Sequence, residues 1–84
     1  MSEADKLFEE LEYKKIEDRY NIDFNKIYSL IGGHKYKEQI RFYKLDKCFY
    51  IECYNYNDET IFGRPLDMEE LKAIYLKCKE LRWI

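Results

Sequence analysis

The chain has 84 residues, of which 46% are hydrophobic and 38% charged, and a formal net charge of −2. That length supports one domain, residues 1–84, with a single small core and no depth for an enclosed catalytic cavity. The charge lacks the positive excess of a general duplex-DNA binder, and no apolar run approaches the ~18 residues of a membrane-spanning helix.

The first predicted element is a helix over about residues 3–12. Ser2 can accept a backbone N–H at its start, and Glu3 and Asp5 suit the positive end of the helix dipole. Ala4, Leu7, Phe8 and Leu11 then form one apolar stripe. Residues 13–19 read as a short strand or a connection. In residues 20–31, Tyr20, Ile22 and Phe24 alternate as in a strand, while Phe24, Ile27, Tyr28 and Ile31 also fit a helix starting at Asp23. The β-branched and aromatic content favours the strand. Gly32-Gly33 opens a loop through GGHKYK.

EQIRFYKL and CFYIECYN flank Asp46-Lys47 as a hairpin. Pairing Leu45 with Cys48 puts Phe42 opposite Ile51 and Ile40 opposite Cys53 on one face. The other face then pairs Tyr43 with Tyr50, Arg41 with Glu52 and Gln39 with Tyr54. Asp-Lys is not favoured two-residue turn chemistry, which leaves room for a longer loop in the same register. TIFGR offers a further short strand. A second helix, about 67–82, opens on a capping-box pair, Asp67 and Glu70. Met68, Leu71, Ile74, Tyr75, Cys78 and Leu81 are its expected apolar stripe. The expected fold is α+β: a three- to four-stranded antiparallel sheet with N- and C-terminal helices packed on one face. The other face is left to water or a partner.

Three cysteines, an odd number, and an acidic start unlike a secretory leader fit free thiols in a reducing cytoplasm. Cys48 and Cys53 are an odd number of positions apart, so an extended strand sends them to opposite faces, where they cannot grip one metal ion. Cys53 and Cys78 are expected in the core, as are Phe49 and Ile51. His34, the only histidine, sits in the glycine loop. No Ser/His/Asp set, phosphate loop or HExxH motif occurs. Glu9-Glu10 and Glu69-Glu70 are adjacent pairs that diverge around a helix. No catalytic residue, metal or cofactor is therefore assigned, and the chain is not expected to be an enzyme. What remains is the outer sheet face: Arg41, Tyr43, Tyr50, Glu52 and Tyr54, with Lys35 and Lys37 as secondary basic contacts. Tyr and Arg are the residue types enriched at protein-binding hot spots. The alternative is single-stranded nucleic acid stacked on the same tyrosines, although no RRM signature occurs and Glu52 sits in mid-patch.

EADKLFEELEYKKIED, IRFYKLDKCFYI and DMEELKAIYLKCKELRW resemble a family of small uncharacterised proteins from phages and prophages of low-GC Gram-positive bacteria. The family outline is ADxLFEELGY, a small meander, and M-x-E-L-K-A-I-x-x-K-x-x-E-L-G-W. The likeness covers both ends of the chain and fades over 20–37. Glu12 and Arg82 stand where the outline has helix-ending glycines. The motif positions Leu7, Phe8, Leu71, Ile74 and Trp83 are packing residues, so the resemblance carries over no catalytic group. It implies a stoichiometric binder of a host protein in the bacterial cytoplasm, as a monomer or small homo-oligomer. Inhibitors of bacterial defence, anti-CRISPR proteins among them, are the prominent class, which makes a CRISPR-associated effector the expected partner.

Overall fold

A computed structural model describes residues 2–30 and 32–84. Its elements are α1 (Glu3–Glu10), β1 (Lys14–Glu17), β2 (Asn21–Ser29), β3 (Lys35–Tyr43), β4 (Cys48–Asn55), β5 (Thr60–Phe62) and α2 (Met68–Glu80). The strands form one antiparallel sheet in the order β1-β2-β3-β4-β5, each beside its neighbour in the chain. The class is α+β as expected. The sheet has five strands instead of three or four, because both undecided stretches, 14–17 and 60–62, pair as edge strands.

Ser2 caps α1 by accepting the Asp5 N–H at 3.0 Å. Both helices end in the same way. Glu12 (φ 71°) and Arg82 (φ 60°) adopt the left-handed conformation just past each helix. The following N–H groups, of Tyr13 and Trp83, bond back to the carbonyls of Phe8 (3.0 Å) and Cys78 (2.9 Å). Neither residue is glycine, so each carries a left-handed strain of about 1 kcal/mol that glycine would not.

β2 is a strand over Asn21–Ser29, which removes the helical alternative; Ile31, the last residue of that stretch, lies outside the described residues. Gly32 and Gly33 both have positive φ, which suits the reversal between the two strands, and β3 begins at Lys35, earlier than the GGHKYK loop implied.

The β3–β4 register differs from the expected one by two residues. Phe42 faces Phe49, Ile40 faces Ile51, and Tyr43 faces Cys48. A four-residue turn, 44–47, replaces the two-residue turn, closed by the Lys47 N–H to the Tyr43 carbonyl at 3.0 Å with Lys47 left-handed (φ 54°). Leu45 points into solvent instead of pairing. A shift of two preserves side-chain parity, so each residue keeps its expected face while every cross-strand partner changes.

The core lies between the even-numbered side of β2 and β3 and the two helices. Phe8 stacks on Phe24 with ring centroids 3.9 Å apart, and both meet Phe42 edge-on. Cys53 and Cys78 are buried, as expected, while Phe49 is partly exposed at the sheet margin instead of lying in the core. The start of α1 lies beside the last turns of α2: Ser2, Glu3 and Ala4 share a surface hollow with Leu76, Lys79 and Glu80.

α2 carries the expected capping box, but its buried face is rotated from the expected stripe. Ala73, Ile74 and Cys78 face inward with Glu70 and Lys77, whereas Met68, Leu71 and Tyr75 are exposed. The apolar pattern misplaced the face because two charged residues point inward, each to a specific partner. Ile74→Ala (2% exposed) should destabilise by about 2–4 kcal/mol, and Leu71→Ala (45% exposed) by less than about 1 kcal/mol. Urea unfolding of the two variants checks this; equal losses would contradict the rotated face.

Candidate functional site

Both helices pack on the core side, so the opposite sheet face has no layer over it. Strand register fixes what that face carries. One row runs Ile16, Asp23, Arg41, Tyr50; the next runs Lys14, Asn25, Gln39, Glu52; a third runs Ile27, Lys37, Tyr54, Ile61. Tyr43 lies between Asn21 and Cys48 at one end, and Lys35 extends the other. Arg41, Tyr43, Tyr50, Glu52, Tyr54, Lys35 and Lys37 therefore share one face.

Their partners differ from those expected. Tyr50 stands opposite Arg41, Glu52 opposite Gln39, and Tyr54 opposite Lys37. Arg41 is not free to reach outward. Its Nε and Nη2 donate to the two carboxylate oxygens of Asp23 at 2.8 and 3.0 Å, a bidentate strap across β2 and β3. The guanidinium also lies 5.9 Å from the Tyr43 ring. Tyr50, at 48% exposure, is the most open of the predicted tyrosines. At the basic end, Tyr54 and Tyr56 meet edge-to-face at 4.9 Å, and the Lys35 ammonium sits 5.2 Å from the Tyr56 ring.

Three exposed isoleucines complete the face and were not anticipated: Ile16, Ile27 and Ile61. Ile27 has the opposite parity to Ile22 and Phe24, a signal that the strand reading of β2 already contained. Ile16 and Ile61 depended on edge strands that the sequence left undecided. The cysteines divide as parity requires, Cys48 exposed and Cys53 buried. Burial pushes the Cys53 and Cys78 thiols up, away from the reactive thiolate form.

A second constellation lies on the core side, in charged residues that the sequence pattern placed in solvent. Tyr13 donates its hydroxyl to Glu70 Oε2 at 2.5 Å and lies 3.3 Å from Glu38 Oε2. Arg64 donates from Nη2 to Glu70 Oε2 (2.6 Å) and to Tyr13 Oη (2.7 Å), and from Nη1 to Glu70 Oε1 (3.0 Å). Its Nε is 3.7 Å from Glu38. Burial opposes ionisation of Glu70, but the Arg64 and Tyr13 hydrogen bonds outweigh it and hold the carboxyl down at about 2. Burial and the same Glu70 bond drive the Tyr13 hydroxyl well above its ordinary range. Both Glu70 oxygens, the Tyr13 hydroxyl and the two Arg64 Nη groups are engaged with one another, only the buried Arg64 Nε is left without a hydrogen bond, and the side chains of Arg64 and Glu70 are only 8% and 7% exposed. The cluster clamps the start of α2 to the sheet. At the other end of the helix layer, the fully buried Lys77 ammonium meets Asp5 at 2.6 Å and Glu80 at 2.7 Å, joining α2 to α1.

Among the described residues no helix is long and apolar enough to cross a membrane. No family model, curated protein or solved structure matches the chain.

Proposed function

We propose that the protein works by non-enzymatic, stoichiometric binding of another protein through the outer sheet face. Following the resemblance to phage and prophage proteins, the bound protein is a host defence protein in the bacterial cytoplasm, with a CRISPR effector as the first candidate. The observation that carries the reading is the uncovered face itself, where Tyr43, Tyr50 and Tyr54 lie among exposed Ile16, Ile27 and Ile61. Rings and branched aliphatics held on a rigid sheet bury large area with little loss of side-chain freedom.

Tagged protein should retain a stoichiometric partner from host lysate. Tyr50→Ala and Tyr43→Ala should each weaken that complex by about 1–2 kcal/mol, roughly 5- to 30-fold in Kd, with little change in thermal midpoint. Recovery of no partner, or undiminished binding in both variants, would sink the proposal. Arg41→Ala is a poorer probe, since it also strands Asp23.

A second reading, a single-stranded nucleic-acid binder, is favoured by one feature: Lys35 and Lys37 stand beside Tyr54 and Tyr56. Phosphate-driven binding weakens steeply as salt rises, so an oligonucleotide titration at low and high salt separates the two readings.

A further inference from the structure

We propose that the end of the outer face where β1, β2 and β3 meet takes an acidic segment of a protein partner, with carboxylates on the Lys14 and Lys37 ammonium groups and aliphatic side chains on Ile16 and Ile27. This rests on the reading of the outer face as protein-binding and assigns the chemistry of what binds there.

A groove of about 440 Å³ opens at this corner, lined by Glu12, Lys14, Ile16, Asn25, Lys26, Ile27 and Lys37. Its apolar floor is exposed: Ile16 and Ile27 keep more than half their surface in water. Two of its three cations lack counter-charges. Lys15 and Lys44 elsewhere on the sheet, and Lys26 in the groove itself, each meet a carboxylate within 4 Å, whereas Lys14, Lys35 and Lys37 make no ion pair among the described residues. The Lys26 ammonium is already engaged by the Leu11 carbonyl at 3.2 Å and the Tyr13 ring at 4.7 Å, so Lys14 and Lys37 are the available pair. Two acids stand near them. Glu12 lies on the groove rim. Glu52 shares the Lys14 row three strands away, about 14 Å at the usual strand spacing, but it is the diagonal neighbour of Lys37 on the adjacent strand, where it makes no ion pair within 4 Å among the described residues. Asn25 Oδ1, in the groove wall, is buried without a hydrogen-bond partner, an uncompensated polar atom in a surface not optimised for stability alone.

A polypeptide fits this pattern better than a nucleic acid. The floor is aliphatic and offers no ring for a base to stack on, and two lysines flanked by Glu12 make a poor phosphate track. A peptide chain can place a carboxylate and a branched aliphatic side chain within the same few residues.

The test uses the whole protein, isotope-labelled for amide NMR, and four probes of matched length. These are a peptide alternating glutamate with leucine, the same peptide with glutamine for glutamate, the same with lysine for glutamate, and an oligothymidylate. The glutamate peptide should shift the amides of Lys14, Ile16, Ile27 and Lys37. It should bind about tenfold more tightly than the glutamine peptide at roughly 50 mM salt, with the gap closing towards 500 mM. The double variant Lys14→Glu/Lys37→Glu should prefer the lysine peptide. Lys14→Gln/Lys37→Gln, which removes only the charge, should lose the glutamate preference while keeping the wild-type spectrum elsewhere. Equal binding of the glutamate and glutamine peptides, an unchanged preference in the charge-reversed variant, or tighter binding of the oligothymidylate would each overturn the proposal. Shifts at Tyr43 and Tyr50 without any glutamate preference would overturn the acidic-segment assignment and leave the protein-binding reading standing. No shift anywhere on the face would likewise overturn the acidic-segment assignment, while the lysate capture described above decides the protein-binding reading.

Discussion

Replacing Arg64 with alanine should destabilise the protein by about 3–5 kcal/mol, the range for removing one partner from a buried ionic network. The guanidinium is the central donor of the cluster, bonded to both Glu70 oxygens and to the Tyr13 hydroxyl, with Glu38 close to its Nε. Without it, Glu70 and Glu38 face each other across one phenol proton. The remaining cation, Lys26, is 3.9 Å from Glu38 and serves that carboxylate alone. Small domains hold only about 5–15 kcal/mol in total, so the variant should unfold in much less urea, or be unfolded at the outset. A loss below about 1 kcal/mol would show that water replaces the arginine and that the cluster is not a clamp. The same cluster sets an acid limb. The Glu70 carboxyl is depressed from 4.5 to about 2, so its contribution is fully present above pH 4.5 and disappears as pH falls towards 2. That contribution is on the order of 2–3 kcal/mol. Glu70→Gln should flatten the stability profile across that window.

Phe24→Ala should cost about 3–5 kcal/mol and leave little folded protein at ambient temperature. Phe24 is buried at the centre of the core, stacked on Phe8, edge-on to Phe42 and 5.6 Å from the Lys77 ammonium. Truncation therefore removes a ring, leaves a cavity between sheet and helices, and takes the aromatic face from a buried cation. Tyr20, four residues earlier and 53% exposed, should tolerate alanine within about 0.5 kcal/mol. Guanidinium unfolding of the two variants makes the comparison, and similar losses would contradict the assigned core.

Side-chain parity made the outer face legible from sequence. Arg41, Tyr43, Tyr50 and Tyr54 stay together in any register shifted by an even number of residues, so the two-residue error in the β3–β4 hairpin left the face intact. The error arose at Lys47, whose left-handed conformation closes a four-residue turn without the glycine or asparagine that would have marked it. The α2 face was misread for a different reason. Glu70 was legible as a capping residue from Asp67 three positions before it, but its other role depends on Tyr13, 57 residues away. Long-range pairing of a buried charge leaves no local trace, and the same is true of Lys77 with Asp5. Ile16 escaped notice because four exposed residues at a sheet edge carry almost no alternation of burial.

The adjacency of the α1 start and the α2 end has a practical consequence for handling the protein. A fluorophore or resin linker joined at residue 2 or at the exposed residue 79 would emerge from the helical layer, on the side remote from Tyr50 and Ile27. Molecules immobilised at either residue would thus display the sheet outward. A sensor surface prepared with both attachments should give the same signal per molecule for any ligand of that face, and unequal signals would locate the contact among the helices instead.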